Sequence, residues 1–186
     1  MSAKSERKRN YNMKQTIETE HLFLIACDKE TLEAAIAGDP QLAQHLKLSV
    51  AENWTSFGVQ ALSYALEKIT SGKNEEGWWT YFPVHKSDNK LIGSGGYAGS
   101  PDENGKVEIG YEITGDYRNK GLATEFAKAL VKNAFANEKV KAIRAHTLAE
   151  VNASTKVLEK CGFVKIDEID HPEDGKLWKW ELKKQL

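Results

Sequence analysis

Residues 107–135 read VEIGYEITGDYRNKGLATEFAKALVKNAF, and a change of period inside this stretch decides the fold. From Val107 to Thr114 apolar and polar residues alternate, as in a half-buried strand. From Leu122 onward, Leu122, Phe126, Leu130 and Ala134 recur every fourth residue, and Ala127 and Val131 widen the stripe. That spacing predicts a helix continuing to Asn137. The run between them, Arg118-Asn119-Lys120-Gly121-Leu122-Ala123, then stands at a helix start, where the first amide N–H groups lack intrahelical partners and the positive end of the dipole favours an anion. Gly121 lets a phosphate approach the backbone, and Arg118 and Lys120 add charge beside it. An ordinary helix entry with a turn glycine and two solvated cations has the same six letters, so the flanking sequence must discriminate.

Upstream, Leu22–Cys27 reads as a strand and Lys29–Ala37 as a short helix with Leu32, Ala35 and Ile36 inward, ended by Gly38-Asp39-Pro40. Val59, Leu62, Leu66 and Ile69 mark the next helix, stopped at Ser71-Gly72. Trp78–His85 and Lys90–Tyr97 read as paired strands, and Ser100–Lys106 (SPDENGK) as a hairpin turn before the strand at Val107. Downstream, Lys141–Leu148 is a strand, Asn152–Cys161 a helix closed by Gly162, and Phe163–Ile169 with Lys176–Leu182 a final hairpin across His171–Gly175. Strands that precede, separate and follow the helices make this an α+β protein with a mostly antiparallel sheet.

The chain has 186 residues, 40% hydrophobic, with 26 basic against 27 acidic side chains. That suits one domain, residues 13–186, behind a basic tail at residues 1–12 that carries Lys4, Arg7, Lys8 and Arg9. A net charge of −1 without a long basic stripe argues against broad nucleic-acid binding. No stretch reaches the roughly 20 apolar residues of a membrane span, and the start lacks the apolar core of a secretory signal, so a cytoplasmic protein is expected. Cys27 and Cys161 have no CxxC spacing and read as buried thiols; His85, His146 and His171 have no metal-ligand spacing, so no metal is expected.

With these residues in place, VEIGYEITGDYRNKGLATEFAKALVKNAF followed by AIRAHTLAEVNASTKVLEKCGF (residues 142–163) resembles the coenzyme-binding core of the GNAT N-acetyltransferase superfamily, nearest its Rim-type branch of ribosomal-protein N-terminal acetyltransferases. The resemblance spans residues 18–183 and rests on the [RQ]xxGx[GA] signature at Arg118–Ala123 and the NAS and LEKxGF elements. It implies a mixed sheet of about seven strands with a splayed parallel pair and flanking helices. It also implies acetyl-CoA as co-substrate. The pyrophosphate would lie on the amides of Arg118, Asn119, Lys120, Gly121, Leu122, Ala123 and Thr124, and the pantetheine arm between the strand of Tyr111–Ile113 and that of Ile143–Thr147, paired as an added strand. Asn152 is a further coenzyme candidate, although the family's usual asparagine falls where this chain has Val151. A backbone N–H near Ile113 would stabilise the developing oxyanion.

Direct attack by an amine on the thioester needs a neutral amine. At pH 7 deprotonation costs about 4.6 kcal/mol for a lysine side chain and about 1 kcal/mol for an α-amine. A carboxylate acting directly or through water would help, and Glu108 and Glu112, an even number of residues apart, share one strand face. Glu108 aligns with the strand glutamate that serves as base in some members; Glu112 lies nearer the splayed end. Each also reads as a solvent-facing carboxylate, Glu112 less readily than Glu108 because Gly110 between them leaves room on that face. Many members protonate the departing thiolate with a tyrosine in the last helix, but this chain has Leu158 there, leaving Ser154 or water as the donor, and Ser154 doubles as a helix-start residue.

Gly93-Ser94-Gly95-Gly96-Tyr97-Ala98 fits the GxGxxA dinucleotide fingerprint, yet it leads through a turn to another strand instead of opening a helix, so these glycines read as close-packing positions. The acceptor is expected to meet the N-terminal half, where Trp54, Phe57, Trp78, Trp79 and Tyr81 concentrate. Strict alternation puts Trp79 and Tyr81 on one face and Trp78 on the other, so they cannot all line the cleft; Trp54, Trp79 and Tyr81 are taken as the acceptor candidates. The expected partners are acetyl-CoA and an amine, either a protein N-terminus or a small molecule, with the final strands a candidate homodimer surface. The competing reading is a catalytically inactive acyl-CoA-binding regulatory module.

Overall fold

The computed structural model describes residues 16–71, 75 and 77–185; the basic tail read from sequence lies outside the described residues. Among the described residues the elements run β1 (Thr16–Glu18), β2 (Leu22–Ala26), α1 (Lys29–Ala37), α2 (Asp39–Leu46), β3 (Ser49–Val50), α3 (Gly58–Thr70), β4 (Thr80–His85), β5 (Lys90–Leu91) and β6 (Gly93–Tyr97). They continue with β7 (Lys106–Ile113), a 3-10 turn at Gly115–Tyr117, α4 (Leu122–Phe135), β8 (Ala142–Leu148), α5 (Ala153–Lys160), β9 (Val164–His171) and β10 (Gly175–Lys183). The sheet order is β1-β2-β4-β6-β7-β8-β10-β9, with β3 paired to β5 and β5 to β4. All pairs are antiparallel except β7–β8 and the short β3–β5 contact. This is the expected α+β architecture. It has more than seven strands because β1, β3 and β5 are two or three residues long, too short for alternation to show in sequence.

Alternation divides the apolar side chains between two cores, one on each face of the sheet. Leu22, Leu24, Ile109 and Ile113 pack with Phe126 and Leu130 of α4 and Leu158 of α5. Ile25, Phe82 and Val84 pack on the other face with Leu32, Leu42 and Leu62 of α1, α2 and α3. Phe126 is fully buried, so truncating it to Ala would cost about 3–5 kcal/mol.

The glycines of β6 serve the packing that the sequence suggested. A Cβ on Gly95 would stand 2.5 Å from the Gly110 carbonyl oxygen and 2.9 Å from the Phe126 ring, so β6 can lie close on β7 and α4 only without a side chain there.

Two local readings change. The Gly38-Asp39-Pro40 stop does end α1, but it also opens α2, because Pro40 sits in the first turn, where a missing N–H costs nothing. Trp78 and Trp79 precede β4, so alternation does not extend back to them. Trp78 and Tyr81 both pack around Tyr97 on the α4 side, with ring centroids 5.0 and 5.7 Å away, while Trp79 packs on the opposite core.

Candidate active site

The site begins where two strands part. β7 and β8 pair in parallel only over Lys106–Glu108 and Ala142–Arg144. Beyond that point β7 stays bonded to β6 as far as Ile113, and β8 stays bonded to β10 as far as Leu148. Each strand is therefore anchored on its outer side and open on its inner side. Just before they diverge, the buried Glu181 of β10 accepts from Lys106 Nζ at 3.2 Å and pairs with Arg144 Nε at 3.5 Å, which ties β7, β8 and β10 together at the closed end. Burial pushes the Glu181 carboxyl up, but the two cations outweigh it and hold it below its ordinary range.

The Glu108 carbonyl accepts from Ala98 N at 3.0 Å and Thr114 N donates to the Ile92 carbonyl at 2.8 Å, so even-numbered residues of β7 bond toward β6. In an antiparallel ladder the odd-numbered residues then face the other way, which turns the Tyr111 amide and carbonyl into the gap. The Tyr111 side chain reaches α5, where its hydroxyl donates to the Ser154 carbonyl at 3.3 Å and lies 3.5 Å from Ser154 Oγ. Burial pushes this phenol up to about 12, keeping it protonated at neutral pH.

Past the open end of β7, Gly121 caps α4 in the left-handed region at φ 79°. The first hydrogen bond anchored on the cap runs from Glu125 N to the Gly121 carbonyl at 3.0 Å. Among the described residues nothing accepts from the amides of Leu122, Ala123 or Thr124. Leu122, Ala123 and Thr124 line a cavity of about 350 Å³ whose wall also includes Ile113, Arg118 and Asn119. Arg118 Nε donates to the Ile113 carbonyl at 2.9 Å, which fixes the guanidinium at the rim, and Asn119 adopts φ 59°. Lys120 does not border the cavity: its ammonium lies 5.0 Å from the Tyr117 ring centre. Lys156 and Lys160 of α5 supply the charge instead. Asn152 also lies outside the cavity lining, since its side chain caps α5 by accepting from Ser154 N at 2.9 Å and Thr155 N at 3.1 Å.

Glu125, one turn into α4, holds the β1–β2 turn. It accepts from Thr19 Oγ1, from His21 N at 2.7 Å and from His21 Nδ1 at 2.9 Å. Burial raises the Glu125 carboxyl, but these bonds outweigh it and the net shift is downward; the same bond raises His21 above 6.5.

On the α3 face the two candidate carboxylates have different environments. Glu112 is committed to the loop before α3: its oxygens accept from the Thr55 hydroxyl at 2.6 Å, from Ser56 N at 3.0 Å and from the Ser56 hydroxyl. Glu108 Oε1 lies 2.9 Å from His146 Nδ1 across the closed end of the gap. It also lines a second cavity, about 310 Å³, between α3 and strands β4, β6 and β7. Trp79 lines that cavity. Trp54 and Tyr81 do not: Trp54 is 5% exposed, packs edge-on to Phe82 and donates to Asp39, and Tyr81 is 2% exposed and donates to the Gly77 carbonyl. Phe57, at the N-cap of α3, and Tyr64 within α3 line the cavity in their place.

A sheet that opens toward unpaired helix amides, with a carboxylate on the far side of the gap, has known relatives. Residues 21–164 match the family described as Acetyltransferase (GNAT) domain. The chain belongs to the GNAT acetyltransferase family. It is 32% identical over 149 residues to the Uncharacterized N-acetyltransferase YjdG of Bacillus subtilis (strain 168), covering 80% of this chain and 89% of that protein. Its fold is shared with ribosomal-protein-S5-alanine acetyltransferase from Vibrio fischeri (TM-score 0.65, 19% identity, 91% of this chain and 96% of that one). RimL, the ribosomal L7/L12 alpha-N-protein acetyltransferase solved with coenzyme A, is also similar (TM-score 0.67, 14% identity, 91% and 98% covered). This GNAT protein is an N-acetyltransferase of a family that uses acetyl-CoA. Among its described residues no helix is long and apolar enough to cross a membrane, and no three His, Cys, Asp or Glu side chains are grouped to hold a metal ion.

Proposed function

We propose that this GNAT protein transfers the acetyl group of acetyl-CoA to a primary amine by direct attack, both substrates being bound at once. The carrying observation is the conjunction of the β7–β8 gap with the three unpartnered amides at the head of α4. The cavity beside those amides suits a diphosphate: it has donors without acceptors, the positive end of a 14-residue helix, Arg118, Lys156 and Lys160, and open space over Gly121. The Tyr111 backbone facing the gap offers an amide-bearing arm the bonds of an added strand.

Bound acetyl-CoA supplies a thioester whose carbonyl carbon accepts the amine. Glu108, on the acceptor side of the gap and fixed by His146, takes the amine proton as the N–C bond forms. The C–S bond breaks, and the thiolate receives a proton from water, directly or relayed through the Ser154 hydroxyl, while Glu108 releases the amine proton to solvent. Amine and thioester thus become amide and free thiol. Glu112 positions the loop before α3 in this scheme and Glu108 is the base.

The test is to mix the full chain with acetyl-CoA and a panel of amines, then measure free thiol release and the acetylated product by mass spectrometry. Stoichiometric thiol and acetyl-amine support the reading. Tight coenzyme binding without product from any amine would instead favour the binding module.

A further inference from the structure

We infer that the acceptor is a compact monoamine on an apolar or aromatic carbon body, selected by Phe57, Tyr64 and Trp79. This rests on the transfer reaction proposed above and names the substrate class of its acceptor side. The 310 Å³ cavity between α3 and the sheet has Glu108 in its lining, beside Gly110, over which there is open space. Glu108 is the single carboxylate among the described residues that line it. Its walls are mainly apolar side chains, and they include the aromatic rings of Phe57, Tyr64 and Trp79.

Two of those rings are placed where folding does not require them. Phe57 is 51% exposed and Tyr64 53% exposed, so neither is buried in the core of this face. Tyr64 meets Trp79 edge to face with ring centres 5.6 Å apart, and the Trp79 indole N–H is taken by Glu75, which leaves a surface suited to a flat apolar group. Lys68 Nζ lies 4.8 Å from the Tyr64 ring centre, so this cation and the Glu75 carboxylate flank the ring pair, Lys68 beside Tyr64 and Glu75 beside Trp79.

These features exclude by physical cost. A polyamine would bring its second cation against apolar walls, and an aminoglycoside would bring hydroxyls stripped of water without partners. A peptide N-terminus would carry its first amide groups into the same walls. An amine on a phenyl-alkyl body leaves one polar group, directed at Glu108, and lays its carbon on the rings. Apolar surroundings also favour the uncharged amine that attack requires.

The experiment compares kcat/KM for 2-phenylethylamine, spermidine, kanamycin and a tetrapeptide beginning with Ala, using the full chain and saturating acetyl-CoA. The expected result is at least a roughly tenfold preference for 2-phenylethylamine. In a Phe57→Ser/Tyr64→Ser double variant its KM should rise by about tenfold, with kcat and coenzyme Kd retained. Preference for spermidine, kanamycin or the peptide, or an unchanged KM in the variant, overturns the assignment while leaving the acetyl-transfer reading intact. Absence of product from every amine overturns both.

Discussion

Gly121 separates coenzyme grip from folding. Its φ of 79° lies where a side chain costs roughly 1–2 kcal/mol, and a Cβ there meets nothing within 4 Å. Gly121→Leu should therefore lower the melting temperature of the free chain by about 2–8 °C, the effect of that strain in a domain of this size. The leucine would project from the helix cap into the space beside the Leu122, Ala123 and Thr124 amides. Losing two charge-assisted bonds to phosphate, at about 1.5–3 kcal/mol each, weakens acetyl-CoA binding by roughly a hundredfold to ten-thousandfold. Gly175, in the β9–β10 turn, has φ 73° and equally open surroundings, so Gly175→Leu is a matched control with the same strain. Calorimetric titration with acetyl-CoA and coenzyme-free thermal melts should show similar melting shifts in both variants, with lost affinity in Gly121→Leu alone. Affinity within threefold of the parent in Gly121→Leu, or an equal loss in both variants, would refute the phosphate cradle.

The carboxylates should separate in the same way. Glu108→Gln should lower kcat by about 10²–10⁴ with unchanged coenzyme Kd, whereas Glu112→Gln, which disturbs the bonds to Thr55 and Ser56, should lower stability by about 1–3 kcal/mol and spare most of kcat. The reverse pattern would make Glu112 the base. Lys156→Ala/Lys160→Ala should weaken acetyl-CoA binding by about 2- to 30-fold at low salt, and the gap should narrow as salt is added; a salt-independent gap would contradict an electrostatic role. The His21–Glu125 pair should stabilise the chain most between pH 4.5 and 6.5. Its contribution declines as pH falls through the lowered Glu125 value, where the carboxylate protonates, and as pH rises through the raised His21 value, where the imidazole loses its charge. Melting curves of the parent and His21→Ala across this range measure it, and a pH-independent difference would rule the pairing out.

The sequence was most legible where one contiguous segment carried the signal. Lys29–Ala37 and the helix beginning at Leu122 were readable because period and capping are local, whereas the Arg118 amide expected in the cradle is taken by the Gly115 carbonyl at 3.1 Å, a turn that the local pattern did not reveal. What it concealed depends on register. Glu108 meets His146 only because β7 and β8 pair with Glu108 opposite Arg144, and Glu112 is occupied by Thr55 and Ser56 only because the loop before α3 crosses β7. Lys156 and Lys160 did leave a trace, two lysines four apart on the short helix after β8, but nothing local says that this helix faces the cradle. Trp54 and Tyr81 show the converse: an aromatic-rich stretch does not say which rings turn inward, and both went to the core while the less conspicuous Tyr64 came to the cavity.

The central claim concerns three peptide hydrogens, and amide-resolved NMR hydrogen exchange reads them directly. In the free chain the Leu122, Ala123 and Thr124 amides should exchange fast, because no described residue accepts from them, and saturating acetyl-CoA should protect them and shift their resonances. Amides already protected without coenzyme, or unchanged when it binds, would contradict the account.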